Sequence, residues 1–322
     1  MGNREWFKNA KFGMMIHWGL YALPAGEWKG RRMPYIGEWA QAYFRIPNRE
    51  YGALADAFNP LLFDAAAWVK LAVDAGMRYL VVTSKHHDGF AMYHSRTDDY
   101  NVCGRTPFKR DVIAELAEAC RDHDLKLGLY YSQDLDWHEP HGGGYTRGHT
   151  NGGCMSWTND WDFPDNEGKD YRVCFERKIR PQVDELLRNY GDLALIWFDT
   201  PLTLSPEQSA ELYRMVKERQ PDCLVNTRLG NGLGDYGSMG DNEIPDKFMG
   251  EGLFETPATL NDTWGYKSFD QNWKSAEEVL RLKDHLNERG INYLLNVGPD
   301  YLGRIPAPCI DILRQVGRIC ES

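Results

Sequence analysis

Apolar runs punctuate the chain, and each stops abruptly at polar residues with chemical capability. Residues 12–16 run into His17-Trp18-Gly19, and 79–82 into Ser84-Lys85-His86-His87-Asp88-Gly89-Phe90. Residues 127–129 lead to Tyr130-Tyr131-Ser132, 193–198 to Asp199, 223–225 to Asn226-Thr227-Arg228, and 293–295 to Asn296-Val297-Gly298. Uninterrupted aliphatic runs of this length are the mark of buried parallel strands, whose two faces are both covered. Helix-length segments lie between most of them. Asp64 precedes 65–75, where Trp68, Leu71, Ala72 and Ala75 share a face before Gly76. Asp111 caps a segment with Ile113, Leu116, Ala117 and Cys120 at helical spacing, and a longer helix over 171–189 precedes the run that ends at Asp199. Ser205-Pro206-Glu207-Gln208 and Ser275-Ala276-Glu277-Glu278 read as capping boxes that open two more helices. A further strand is expected over 254–260.

Strands alternating with helices predict an α/β fold, a (β/α)8-like (TIM-type) barrel, with 1–322 as a single domain. Two connections are far longer than such loops usually are: 20–50 after the first strand and 138–170 after the third. Both follow strand C-termini, where a barrel carries its chemistry, and so are expected to wall a pocket.

Composition narrows the ligand. Net charge is −10 over 322 residues, with a sequence pI near 5.4. That balance disfavours a nucleic-acid surface, which needs a clustered basic face. No apolar run reaches membrane-spanning length, and residues 1–5 do not form a signal peptide. A cytoplasmic location is the default expectation, replaced by a periplasmic or secreted one if a leader has been removed. The seven cysteines include no CxxC, so neither a zinc knuckle nor a redox pair is expected; Cys120 and Cys223 read as small core residues, and Cys154 lies in the second long loop. Eleven tryptophans are many for one core. Trp28, Trp39, Trp137, Trp157, Trp161 and Trp264 fall in loop-like segments, where flat rings suit sugar faces as well as interfaces.

Asp199 is the sharpest single residue. It ends an apolar strand with no other polar group, a setting for a nucleophile or acid/base carboxylate; the plain alternative is a loop cap or ion pair. His17, His86 and His87 invite a metal reading, but no His-x-His or HExxH occurs, and neighbours on a strand point to opposite faces. Neutral imidazoles hydrogen-bonding to hydroxyls fit better. Arg228 could orient a catalytic carboxylate or form a structural pair. Tyr130 and Tyr131 alternate faces, so only one reaches a pocket. Glu38-Trp39 couples a carboxylate to an aromatic ring in a wall loop. Asp241, Glu243 and Glu255 lie in or beyond the Gly-rich stretch 231–240 and include the expected second catalytic carboxylate.

Taken together, these strings resemble the α-L-fucosidases of glycoside hydrolase family 29. The resemblance rests on Trp6-Phe7-x-x-Ala10-Lys11-Phe12-Gly13, Ile16-His17-Trp18-Gly19, Gly37-Glu38-Trp39 and Lys85-His86-His87-Asp88-Gly89-Phe90. Tyr130-Tyr131-Ser132 with Asp136-Trp137, Trp197-Phe198-Asp199, Val225-Asn226-x-Arg228, Thr263-Trp264-Gly265-Tyr266 and 294–299 complete it in family order. It implies a retaining exo-α-L-fucosidase acting on fucosylated oligosaccharides or glycoconjugates through a covalent fucosyl-Asp intermediate, without metal or organic cofactor. Asp199 would be the nucleophile, and His17, Glu38, Trp39, His86, His87, Tyr131, Arg228 and Trp264 would line the fucose pocket. Local matching favours Asp241 as acid/base, with Glu243 and Glu255 as rivals. The family's usual C-terminal β-sandwich is expected to be absent, the barrel being the catalytic domain. A non-catalytic fucose-binding barrel and a metal-dependent barrel hydrolase are the competing functions. Linkage preference and oligomeric state stay open.

Overall fold

In the computed structural model, residues 2–147, 149–150, 155–247 and 250–321 are described. Eight parallel strands lie side by side in chain order: β1 (Phe12–Ile16), β2 (Tyr79–Lys85), β3 (Lys126–Tyr131), β4 (Leu195–Phe198), β5 (Leu224–Val225), β6 (Gly237–Ser238), β7 (Phe254–Thr259) and β8 (Ile291–Val297). β8 pairs back onto β1, with Phe12 opposite Tyr293 and Ile16 opposite Val297. The remaining seam, between β5 and β6, is closed by a parallel bridge from Asn226 to Tyr236, with the Thr227 amide donating to the Tyr236 carbonyl at 3.0 Å. The result is the TIM-type barrel.

The longer helices among the described residues are α1 (Gly2–Ala10), α2 (Ala65–Asp74), α3 (Val112–Asp122), α4 (171–189, with a π-turn at Phe175–Ile179), α5 (Pro206–Arg219), α6 (Ala276–Glu288) and α7 (Ala307–Glu321). Their caps follow the sequence closely. Asp64 accepts the Ala67 amide, Asp111 the Ala114 amide and Ser275 the Glu278 amide, while Ser205 and Gln208 form the full reciprocal box. α2 stops one residue earlier than the pattern suggests, and Gly76 takes φ +77° just beyond it, a conformation that suits glycine. Alternation breaks between β5 and β7, where the connections are loops and one short 3₁₀ turn (Thr227–Leu229).

The period of two decides what each face does. Met15, Tyr79, Val81, Tyr130, Leu195, Trp197, Leu224 and Leu294 fill the barrel interior; Met14, Leu80, Val82, Leu129, Ile196, Val225 and Leu295 pack outward into the helix layer. Gly13 lacks a side chain where the Tyr79 ring crosses the interior; a Cβ there would sit 2.5 Å from that ring. α1 plugs the barrel floor. Its fully buried Phe7 ring lies 4.5 Å from that of Tyr236, and its carbonyl accepts from Asn292 at 2.7 Å. Phe7→Ala would open a cavity there at a cost of about 3–5 kcal/mol.

The two long loops fold over the mouth. The first carries an antiparallel ribbon (Glu27–Trp28 with Arg31–Arg32), the 3₁₀ turn Gly37–Trp39 and a short helix (Ala40–Phe44). It meets Met155 and Trp157 of the second in an apolar cluster with Trp39, Leu135 and Trp137. Cys120 and Cys223 are buried as expected, though Cys223 precedes its strand by one residue; Cys154 lies outside the described residues. Among the described residues no helix is long and apolar enough to cross a membrane.

Candidate active site

Continuing the inward register by one step past each strand end places His17 after Met15 and Asp199 after Trp197. Both project from the barrel interior into a cavity of about 560 Å³ at its C-terminal mouth. His17, Glu38, Trp39, His86, His87, Tyr130, Asp199, Arg228, Asp241 and Trp264 all line it. Elements far apart in sequence thus converge on a space the size of one or two sugar rings.

Asp199 is the electrostatic centre. Its Oδ1 accepts from Arg228 Nη1 at 3.0 Å and its Oδ2 from the Tyr130 hydroxyl at 2.8 Å, while His87 Nε2 stands 3.8 Å away. Burial works to raise its pKa, but the Arg228 charge, then His87 and the Tyr130 bond, outweigh burial and hold the carboxyl below its ordinary range. The next residue, Thr200, adopts φ +54°, a strained conformation for a β-branched residue, and lines the cavity.

Arg228 reaches a second carboxylate. Its Nη2 donates to Asp241 Oδ1 at 2.6 Å and to the Met239 carbonyl at 2.8 Å; Nε donates to Ser238 Oγ at 3.0 Å, and the guanidinium lies 4.7 Å above the Trp197 ring. Burial disfavours the Arg228 charge, but the flanking carboxylates raise its pKa above an already basic value. Asp241, half-exposed at the rim, is shifted the opposite way from Asp199. Desolvation by the pocket wall, with repulsion from Asp199, raises its pKa despite the Arg228 contact. One guanidinium spans two carboxylates, one with its pKa lowered and one with its pKa raised, the unlike pair that a double displacement uses.

The imidazoles form a neutral wall. Burial lowers the pKa of His17 to about 4 and of His87 to about 4, and holds His86 well below the ordinary imidazole value. The 3.8 Å approach of His87 to Asp199 is therefore a dipolar contact, not an ion pair, near neutral pH. His17 Nδ1 pairs with Asn296 Oδ1 at 2.8 Å and His87 Nδ1 with Ser132 Oγ at 2.7 Å, whereas buried His86 Nδ1 has no hydrogen-bond partner among the described residues. Both His86 and His87 face the cavity, their rings 4.1 Å apart. They escape strand alternation because β2 ends at Lys85 and the chain turns, with the Gly89 amide on the His86 carbonyl. Among the described residues, no group of three or more His, Cys, Asp or Glu is arranged to hold a metal ion.

Glu38 sits fully buried on its 3₁₀ turn, accepting from the Gly265 amide at 2.8 Å. Burial raises its pKa to about 8, which favours the protonated form near neutral pH. Trp39 packs edge-on against His87, Trp137 and Trp157, and Trp264 lies 5.2 Å from the His17 ring.

Three expectations resolve differently. Tyr131 does not line the cavity. It faces outward on β3 and donates to Gln182 Oε1 of α4 at 2.9 Å, and the ring that lines the pocket and touches Asp199 is Tyr130, the inward neighbour. Glu243 does not line the cavity either; it stays on its loop, accepting the Gly240 amide at 2.7 Å. Glu255 lies deep in the barrel, bonded by the Tyr79 hydroxyl at 2.6 Å and Trp197 Nε1 at 2.9 Å. Met15 and Trp197, unforeseen as pocket residues, also line the cavity; each lies two residues before a chemical strand end, which is the signal that would have found them.

The α-L-fucosidase family model matches residues 2–321. The chain belongs to the α-L-fucosidase family. A "putative alpha-L-fucosidase" of Caenorhabditis elegans is 29% identical over 98% of this chain and 64% of its own length, and human plasma α-L-fucosidase is 27% identical over 97% and 66%. The chain thus spans a little under two thirds of these curated relatives. Among solved structures, unliganded α-L-fucosidase AlfC from Lactobacillus casei is 56% identical, covers 99% of this chain and 98% of its own, and superposes with a TM-score of 0.95. An AlfC variant in complex with Fucα(1,6)GlcNAc is 55% identical, with 98% of each chain covered and a TM-score of 0.93.

Proposed function

We propose that the chain is a retaining exo-α-L-fucosidase, with residues 1–322 sufficient as the catalytic unit. Asp199 attacks C1 of a terminal α-L-fucoside as the C1–O bond breaks, and Asp241 gives its proton to the departing oxygen. Water then attacks C1 of the fucosyl-Asp199 ester while Asp241 takes back a proton, releasing fucose with its original anomeric configuration. His17, His86, His87 and protonated Glu38 meet the sugar hydroxyls, and Trp39 and Trp264 meet its apolar face. Arg228 and Tyr130 hold the nucleophile charged and aimed. The observation that carries this reading is the single guanidinium shared between a carboxylate of lowered pKa and one of raised pKa.

We further infer α1,6-linked fucose on N-acetylglucosamine as the preferred substrate. The AlfC complex with Fucα(1,6)GlcNAc, at this identity and TM-score, supports that choice. Incubation with a 2-deoxy-2-fluoro-fucosyl fluoride should stall the enzyme as a covalent adduct, and peptide mass spectrometry should find it on Asp199. Fucose release from the α1,6 disaccharide should exceed that from the α1,2, α1,3 and α1,4 isomers. A chain that binds fucose but releases none and forms no adduct would be a non-catalytic binding barrel. Activity lost to a chelator would make it a metal-dependent hydrolase.

A further inference from the structure

The ladder between β4 and β5 is short, pairing only Leu195 with Leu224 and Ile196 with Val225. The residues that do the chemistry, Asp199 and Arg228, both lie beyond its end. Two side-chain amides continue the ladder in place of backbone. Asn226 makes the first extra rung, accepting the Phe198 amide at 3.0 Å and donating to the Phe198 carbonyl at 2.9 Å. Gln133, which follows β3, makes the second. Its Oε1 accepts the Asp199 amide at 2.8 Å and its Nε2 donates to the Arg228 carbonyl at 3.0 Å.

We propose that Gln133 is a positioning residue that locks the backbones of Asp199 and Arg228 in register, so that the guanidinium can span Asp199 and Asp241. This rests on the reading of Asp199 as nucleophile. Gln133 is completely buried, and the Tyr171 hydroxyl at the start of α4 bonds its own carbonyl. It is therefore anchored at both ends of its reach, and Asn would be one methylene too short to make both bonds. Its neighbour continues the same clamp. Asp134 Oδ2 accepts the amides of Leu202, Thr203 and Leu204, pinning the loop that follows the strained Thr200. Gln133 does not itself line the cavity, and it meets Asp199 and Arg228 only at their backbones, so its influence passes through backbone placement.

The test compares Gln133→Leu and Gln133→Glu with wild type on an aryl α-L-fucoside. Leu matches the volume and removes both bonds. Its kcat should fall about 10- to 100-fold, the scale of one or two lost buried hydrogen bonds, while KM stays within about threefold because the sugar contacts are untouched. The acidic limb of its kcat/KM profile should move to higher pH, since a loosened Arg228 no longer depresses the Asp199 pKa as far. Glu keeps the acceptor for the Asp199 amide and recovers the donor to the Arg228 carbonyl only when protonated. Gln133→Glu should therefore regain activity relative to Gln133→Leu as the pH is lowered. Wild-type kcat and an unmoved acidic limb in a folded Gln133→Leu would overturn the proposal, as would equal losses of kcat and fucose affinity, which signal general collapse of the pocket. Should Gln133→Leu fail to fold, the activity of Gln133→Glu relative to wild type decides alone: it should rise as the pH is lowered, and a ratio that does not change with pH would overturn the proposal. Fluorosugar labelling of wild-type Asp199 separates failure here from failure of the nucleophile assignment.

Discussion

Two carboxyl groups share the barrel interior and the same tryptophan, yet their pKa values are displaced in opposite directions. Asp199 is part-buried at the mouth and Glu255 fully buried near the floor, and Trp197 lies between them. Its ring carries the Arg228 guanidinium that binds Asp199, and its Nε1 donates to Glu255. Burial raises both pKa values. At Asp199 a cation at 3.0 Å overcomes it and holds the pKa low; at Glu255 the side chain's hydrogen-bond partners among the described residues are the neutral donors Tyr79 and Trp197, and burial raises its pKa to about 7. Depth does not choose which carboxyl is held charged. The character of its nearest partner does.

The largest break in that comparison is removal of the charged member. Asp199→Gly should retain the barrel and lose roughly 10³-fold or more in kcat, because one catalytic carboxylate supplies several kcal/mol of barrier lowering. Azide should restore part of the turnover and yield a fucosyl azide of inverted configuration, seen by NMR. A variant that turns over like wild type ends the nucleophile assignment.

Next in size is Asp241→Ala. Loss of the proton donor should cost natural oligosaccharides, whose leaving groups need protonation, on the order of 10²–10⁴-fold. Fucosyl fluoride, which leaves unaided, should be slowed far less in its first step. Equal slowing of both substrates, or of neither, would remove Asp241 from the acid/base role, and Glu243 and Glu255 stand too far from the cavity to inherit it without rearrangement.

The histidines come third. Each of His17→Ala, His86→Ala and His87→Ala should weaken fucose binding by about 1–3 kcal/mol, the cost of an unsatisfied buried polar partner. With His17 and His87 lowered to about 4, their neutral form persists across pH 5–8, so calorimetric fucose affinity should show no imidazole titration there. Activity should also survive prolonged EDTA treatment. One stoichiometric zinc per chain, lost together with activity, would contradict the neutral-wall reading.

These particulars also show where sequence is legible. The strand ends with their His, Asp and Arg stood out because an apolar run broken by one polar residue marks both burial and exit from the sheet. The choice between Tyr130 and Tyr131 did not, since it depends on the register of β3 within the closed barrel. Local matching favoured Asp241 over Glu243, but only the fold shows that one reaches Arg228 while the other turns back onto Gly240. The helix-free passage from β5 to β7 had no periodic signal to announce it. Gln133 has no local signal, because its value lies in two backbone groups that only the fold brings within reach.

The smallest expected effect on turnover belongs to Glu255→Gln, and it sharpens the comparison from the other side. The amide can accept from Trp197 and donate to the Tyr79 oxygen, so kcat should stay within about a factor of three if Glu255 only braces the tryptophan. The pH dependence of stability should nevertheless change. Glu255 has a folded pKa of about 7 against an ordinary 4.5. Between those values the native state keeps a proton that the unfolded chain has released, so stability falls as pH rises through that window and levels off above it. Gln cannot titrate and removes this contribution. The Tm of wild type should therefore drop further than that of Glu255→Gln between pH 5 and 7.5, by on the order of a few degrees. Some slope remains in both proteins, because burial also raises the pKa values of Asp88, to about 6, and Glu38, to about 8. Identical Tm curves would mean that Glu255 is charged in the folded barrel. The floor and mouth carboxylates would then be alike in charge, and partner character would no longer account for their difference.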